Sequence, residues 1–324
     1  MPANLTPVYL EAEAKYKQAK TTQEKIKALE VMMAVIPKHK GTEKIRAQLK
    51  SRMAKLKEEL HRKPTIGKAE QAFYIKKEGN AQVILVGLPN TGKSMLFSKM
   101  TNAYSEVGDY PFTTQKPVPG MMKFENLQMQ LVDTPPLQLD HVEPGFSNLL
   151  RNADALLFVV DLTEDPSFQM EIMLEVLKEM RIRVGGRGAA PSLEVGWAYL
   201  KAILLANKCD FKTAMETYRV FEAQYREIFL VLPISAKEGM NVEELKREVY
   251  QILGIIRVYT KAPGGDPDLS EPVVLKRGST VEDVALSIHK DFLKKLRYAR
   301  IWGSGKFDGQ MVKRDYQLSE GDVI

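Results

Sequence analysis

The chain has 324 residues, 44% of them hydrophobic and 27% charged, with 47 Lys or Arg against 41 Asp or Glu, which describes a globular chain long enough for roughly two or three domains. No run approaches the ~18 apolar residues that a bilayer span needs, and residues 1–20 are charged and lack the apolar centre of a secretion signal. The single cysteine, Cys209, has no cysteine partner for a disulfide or a zinc site, so a reducing, cytoplasmic setting is expected.

Taken in chain order, residues 1–66 read as helices. Thr6-Pro7 is an N-cap followed by proline at the first helical position, and Thr21 or Thr22 and Thr42 offer further caps, with Pro37 and Gly41 as punctuation. In the third helix Leu49, Met53, Leu56 and Leu60 draw one apolar stripe amid lysines, which serves either as the packing seam of a helical hairpin or as a docking surface for a regulatory protein. Lys38 to Lys77 holds 13 Lys or Arg against 4 Glu. A segment so basic suits a polyanion such as ribosomal RNA, because its cations displace counterions from phosphates; the alternative is a solvated helix face.

From Gln82 short continuous apolar runs alternate with helical stretches: Val83 to Val86, Leu127 to Val132, Ala155 to Val160, Ala202 to Ala206 and Phe229 to Leu232. The alternation predicts an α/β domain over residues 67–255, a mainly parallel sheet with helices on both faces and functional loops at the carboxyl ends of its strands. After Ile255 a β-rich unit with one helix is expected over 256–324: strand-like Ile256 to Tyr259 and Pro272 to Leu275, a helix capped by Thr280 and running to about Lys295, and strand-like Tyr298 to Trp302. Pro263-Gly264-Gly265-Asp266-Pro267 reads as a loop inside this unit.

The chemistry sits in five loops. Gly87-Leu88-Pro89-Asn90-Thr91-Gly92-Lys93-Ser94 fits G-x-x-x-x-G-K-S between a buried strand and a helix. The backbone N–H groups and the helix N-terminus cradle phosphates, Lys93 neutralises the β- and γ-phosphates, and the Ser94 hydroxyl binds Mg²⁺. Asn207-Lys208-Cys209-Asp210 follows the fourth apolar run, and the Asp210 carboxylate matches the N1 and N2 donors of guanine, a pair that adenine lacks. Ser235-Ala236-Lys237 supplies a backbone N–H for the guanine O6. Asp133-Thr134-Pro135-Pro136 ends the second run, where the aspartate binds Mg²⁺ through water, and Phe112-Thr113-Thr114 lies in the loop expected to close over the γ-phosphate. Thr114, with Thr113 as fallback, is expected to ligate Mg²⁺ and to act with Lys93 in catalysis.

These motifs, with Asp109-Tyr110-Pro111-Phe112-Thr113-Thr114 the most specific of them, resemble the Obg and developmentally regulated GTP-binding protein (DRG) branch of GTPases. Arg257-Val258-Tyr259-Thr260-Lys261, Glu271 to Leu275, Arg277 to Asp283 and Tyr298 to Gly303 resemble the TGS domain of the DRG side. The resemblance implies a P-loop GTPase domain, a ubiquitin-like β-grasp unit at the carboxyl end, GTP and GDP as substrate and product, and a switch in translation or ribosome assembly. A nucleotide-gated scaffold with little turnover is the alternative.

Set against that family, four particulars stand out. Pro136 replaces the glycine whose N–H senses the γ-phosphate, and proline has no N–H, so weaker coupling of this loop to GTP is expected. Leu137 stands where Ras-like enzymes place the glutamine that orients attacking water, so intrinsic hydrolysis is expected to be slow, with Gln138 one residue out of place. Asn90 occupies the position at which potassium-activated relatives coordinate K⁺. DRG proteins carry a small domain inserted in the GTPase domain, yet Asp133 and Asn207 are 74 positions apart, which leaves no room for it; Arg181 to Ala190 forms a basic glycine-rich loop there instead, either a surface connection or an RNA contact. In the last unit Lys290, Lys294, Lys295, Arg297 and Arg300 gather around Asp291, and these cations are assigned an RNA contact while Tyr298 and Trp302 are assigned to packing.

Overall fold

The structure is a computed structural model that describes residues 7–18, 22–36, 49–53, 73–101, 116–138, 143, 145–186, 194–262 and 264–324. Two compact units result, Met1–Ala69 and Glu70–Ile324. Among the described residues no helix is long and apolar enough to cross a membrane.

In the first unit α1 (Pro7–Gln18) and α2 (Thr22–Val35) pack together. Tyr9, Ala12, Leu29, Met32, Ile36 and Leu49 form their shared core, and Met53 packs against it. Leu49 and Met53, the described half of the apolar stripe, thus serve as a seam. The caps Thr6, Thr21 and Thr42, the breakers Pro37 and Gly41, and Leu56 and Leu60 lie outside the described residues.

The second unit is built on a seven-stranded sheet: β1 (Gln82–Gly87), β2 (Val118–Phe124), β3 (Leu127–Asp133), β4 (Ala155–Asp161), β5 (Ile182–Gly185), β6 (Ala198–Asn207) and β7 (Leu230–Pro233). β1 pairs in parallel with β3 and β4, and β4 with β6, while β2 runs antiparallel on β3. The central strands are apolar throughout because both faces are covered. Val83 and Leu85 face α3 (Lys93–Thr101) and α7 (Val242–Leu253) through Leu96, Phe97, Leu245 and Val249. Ile84 and Val86, on the opposite face, meet α4 (Phe146–Arg151), α5 (Pro166–Glu179) and α6 (Ala214–Tyr225) through Leu150, Met170, Met173 and Phe221.

Two strands of this sheet were not among the expected ones. β2, with the sequence Val-Pro-Gly-Met-Met-Lys-Phe, carries neither an apolar run nor a clean alternation. β5 corrects the reading of Arg181 to Ala190 as a loop: Ile182 to Gly185 pairs in parallel with Ala198 to Lys201, the first half of a ten-residue β6, and buried Ile182 anchors it. Residues 187–190 lie outside the described part.

In the carboxyl-terminal unit β8 (Ile255–Lys261) and β9 (Pro267–Lys276) form an antiparallel pair, and β12 (Asp322–Val323) runs parallel to β8. β10 (Ala299–Ile301) pairs with β11 (Gln310–Val312), and a bridge from Trp302 to Val323 joins the two groups. Thr280 caps α8 (Val281–Ile288) in a reciprocal box with Asp283, whose carboxylate accepts the Thr280 N–H at 2.7 Å. Val281 and Val284 then pack on Ile256, Val258, Ile301, Val312 and Leu318. The single helix expected to reach Lys295 is instead broken at His289 (φ −169°, ψ 144°), whose Nδ1 accepts the Asp291 N–H at 3.2 Å and caps a separate α9 (Lys290–Lys295). Tyr298 likewise corrects its packing role, since it is 54% exposed.

Arg257 ties this unit to the seven-stranded sheet. Its guanidinium pairs with Glu125 and donates to the Asn126 Oδ1 at 3.0 Å, both in the β2–β3 turn, while its Nε donates to Glu320 at 2.6 Å. Asn126 in turn donates to the Tyr259 hydroxyl and the Leu269 carbonyl, at 3.0 and 3.1 Å. Partial burial works to raise the Glu320 pKa, but the Tyr250 O–H and the Arg257 N–H groups outweigh it and hold this carboxyl below its ordinary value.

Candidate nucleotide-binding site

The loops after β1, β3, β4, β6 and β7 converge at the carboxyl edge of the sheet, where ligands bind in open α/β folds. The phosphate loop leaves β1 at Gly87, where an added Cβ would lie 2.6 Å from the Val159 carbonyl. It turns through Gly92 at φ +90°, a conformation suited to glycine, and a Cβ there would meet the Asn207 Nδ2 at 2.3 Å. Asn90 also takes a left-handed conformation, φ 62°, and its side chain is exposed. Leu88 and Pro89 are half-buried, Thr91 is buried, and the Thr91 hydroxyl donates to the Leu88 carbonyl at 3.1 Å.

Lys93 opens α3 with its ammonium folded into the loop, donating to the Gly87 and Leu88 carbonyls at 3.0 and 2.7 Å. Burial lowers its pKa to about 8, with Asp133 pulling the other way. The Ser94 hydroxyl donates to Asp133 at 2.6 Å, so the helix and β3 bring two oxygen donors to one point. A hydroxyl and a carboxylate are hard donors of the kind Mg²⁺ takes, so this pair fits that ion. Thr134 is buried and donates to the Leu85 carbonyl at 2.6 Å, which fixes the start of the Asp133–Pro136 turn. After half-buried Pro135 and Pro136, Leu137 is 4% exposed in the core, and its N–H donates to the Gly87 carbonyl at 3.0 Å.

On the base side Asn207 is a strut. Its Nδ2 donates to the Thr91 carbonyl at 2.7 Å and its Oδ1 accepts the Ala236 N–H at 3.0 Å, so one side chain spaces the phosphate loop from the Ser235–Lys237 loop. Asp210 stands half-buried after β6, Ser235 and Ala236 are buried, and Lys237 is exposed. Lys208 adopts φ 65° and its ammonium pairs with Asp161.

Asp161 and Gln169 were missed in the sequence. Asp161 ends β4 with its side chain almost fully buried, and besides Lys208 it accepts the Thr163 N–H and hydroxyl at 2.8 and 2.7 Å. Gln169 bonds both backbone groups of Asp161, at 2.9 and 3.0 Å. The signal was present: Asp161 closes an apolar run just as Asp133 does. Phe112, Thr113 and Thr114 lie outside the described residues, so the structure places the loops of Lys93, Ser94, Asp133, Asn207, Asp210 and Ala236 together without them.

Residues 82–185 match the family of 50S ribosome-binding GTPases, and residues 256–324 match the TGS domain. An uncharacterized GTP-binding protein of Methanocaldococcus jannaschii, MJ1326, is 30% identical over 361 aligned residues, covering 93% of this chain and 92% of its own. The chain belongs to the family of TGS-bearing, developmentally regulated GTP-binding proteins. It is therefore a GTP-binding protein with a GTPase domain that hydrolyses GTP. Developmentally-regulated G-protein 3 of Arabidopsis thaliana is 28% identical, and Ribosome-interacting GTPase 1 of Saccharomyces cerevisiae is 29% identical, each over 94% of this chain and 98% of its own. Alignments of 361 to 366 positions against a chain of 324 mean that these relatives carry residues with no counterpart here. Among solved structures, Era of Aquifex aeolicus bound to GDP·AlF4⁻ aligns with 66% of this chain and 65% of its own, at 22% identity and a TM-score of 0.42.

Proposed function

We propose that this GTPase is a slow, ribosome-associated switch that works in the cytoplasm on translation or ribosome assembly, with bound GTP setting its affinity for the ribosome or ribosomal RNA. Its parts divide the work as helical residues 1–66, GTPase residues 67–255 and TGS residues 256–324, and the basic segment 38–77 and the TGS cations supply the RNA contacts. The observation that carries the reading is the nucleotide pocket, assembled on one sheet edge by the Asn207 strut, in the same compact unit as exposed Lys290, Lys294, Arg297 and Arg300. The relative named Ribosome-interacting GTPase 1 supports the ribosome as partner.

Ser94, Asp133 and Thr114 would hold Mg²⁺, which neutralises the β- and γ-phosphate oxygens when bound. Lys93 adds its charge at the same phosphates, and no side chain is assigned as a base. Asn90 is the K⁺ ligand of this proposal; equal turnover in K⁺ and Na⁺ at matched ionic strength would remove it. Coupling of the Asp133–Pro136 loop to GTP is weak, because Pro136 has no N–H and the next amide, that of Leu137, is bonded to the Gly87 carbonyl. A Pro136→Gly variant should discriminate GTP from GDP better than the parent, and unchanged discrimination would count against this.

The same tied-off turn favours a second reading, a nucleotide-gated scaffold with little turnover whose regulatory protein partner sits on the N-terminal helices. GTP hydrolysis measured with and without ribosomes separates the two. Stimulated turnover supports the switch, and tight binding without turnover supports the scaffold.

A further inference from the structure

We propose that the open half of the outer face of the TGS sheet binds unpaired RNA, with a base stacked on Tyr298 and neighbouring phosphates held by Arg300 and Lys261. This deepens the ribosome-associated reading and rests on it. Strand alternation defines the face: Ala299 and Ile301 of β10 point inward with Ile256, Val258 and Val312, so Tyr298, Arg300 and Trp302 point outward. Met311 lies beside Arg300 in the β10–β11 register, and both are exposed.

An aromatic ring that is 54% exposed beside an arginine on a strand has no packing role to explain it. Trp302 does have one: its ring stands against Gly309, and the Lys261 ammonium sits 4.5 Å over its centroid, which fixes that cation on the same face. The result is one available ring on a face that also carries exposed Arg300 two residues along and Lys261 fixed over Trp302 further along. Sheet faces that read single-stranded RNA stack unpaired bases on aromatic side chains in this manner. Charge selects the partner, since residues 290–314 hold eight Lys or Arg against two Asp. Duplex RNA is recognised through its backbone and makes no use of an exposed ring. The other half of the face, Arg257 and Tyr259, is already docked on the β2–β3 turn through Asn126, which leaves the Tyr298 half as the open one.

The test uses the full chain and fluorescence anisotropy with a short, unstructured U-rich RNA and with an RNA hairpin of equal charge. The single strand should bind more tightly, Tyr298→Ala should weaken it roughly tenfold, and Tyr298→Phe should retain it. Arg300→Ala should weaken binding and reduce the salt slope by about one. Equal or tighter hairpin binding, or a Tyr298→Ala variant that binds the single strand like the parent, would overturn the stacking surface. Should the parent bind neither RNA nor ribosomes, the ribosome-associated reading falls with it; if it binds ribosomes or hairpin while Tyr298→Ala is silent, the stacking surface alone falls.

Discussion

Leu137 offers the sharpest test of how this GTPase departs from glutamine-dependent ones. The side chain is 4% exposed among Phe73, Phe146 and Leu149, and its N–H is committed to the Gly87 carbonyl. A Leu137→Gln substitution therefore places an amide in an apolar pocket rather than beside the nucleotide. Losing the leucine's burial and desolvating an amide together cost about 3 kcal/mol. For a unit of this size that is a fall in Tm of roughly 6–12 °C. Leu137→Met, which conserves volume, should cost less than about 1.5 kcal/mol. Thermal denaturation and single-turnover GTP hydrolysis are the assays, and Leu137→Gln should lose stability while its turnover stays within about twofold of the parent. A variant of unchanged Tm that hydrolyses GTP ten or more times faster would show that position 137 faces the attacking water, and the reasoning would be wrong.

The remaining predictions concern charge. Lys93 in the nucleotide-free protein titrates near pH 8, against 10.5 for an ordinary lysine, so the cost of its buried charge is present below about 8 and disappears as pH rises toward 10.5. The free protein should thus gain stability over that window, while GDP affinity, which needs the charged lysine, should fall by up to about tenfold per pH unit above 8; calorimetry in buffers of different ionisation enthalpy should detect proton uptake on binding at pH 9, and its absence would contradict the buried position of Lys93. Asp210→Ala should cost guanine nucleotides about a hundredfold in affinity and leave adenine nucleotides unchanged, as calorimetry with GDP and ADP would show. Arg257→Ala removes the bridge from the TGS unit to Glu125 and Asn126, so hydrogen exchange should quicken in the β2–β3 turn with only about 1 kcal/mol lost overall, since Glu125 is largely exposed and Glu320 partly so. Arg257→Lys should not restore protection, because an ammonium cannot span Asn126, Glu125 and Glu320 at once.

Much of the GTPase core was legible because strands buried on both faces write themselves as apolar runs: Val83 to Val86 became β1 and Ala155 to Val160 became β4. β2 was not legible, since an edge strand paired on one side tolerates proline and glycine and shows no period. β5 escaped for a related reason: four residues of mixed polarity, Ile-Arg-Val-Gly, look like a loop until β6 extends far enough to pair with them. The break at His289 depends on a ring nitrogen accepting a backbone N–H two residues on, a detail that apolar spacing does not record. In the site, loop motifs marked the residues gathered at the carboxyl edge of the sheet, while the supports Asp161 and Gln169 belong to no loop motif, and only the aspartate that closes an apolar run hinted at the pair. The exposure of Tyr298 follows from alternation around Ile301, which becomes readable once Ile301 is known to face the core.

If GTP sets affinity for the ribosome, co-sedimentation of the full chain with ribosomes in a non-hydrolysable GTP analogue and in GDP will reveal it. The protein should pellet with ribosomes in the analogue and remain largely in the supernatant in GDP. Equal pelleting in both nucleotides, or none in either, would contradict it.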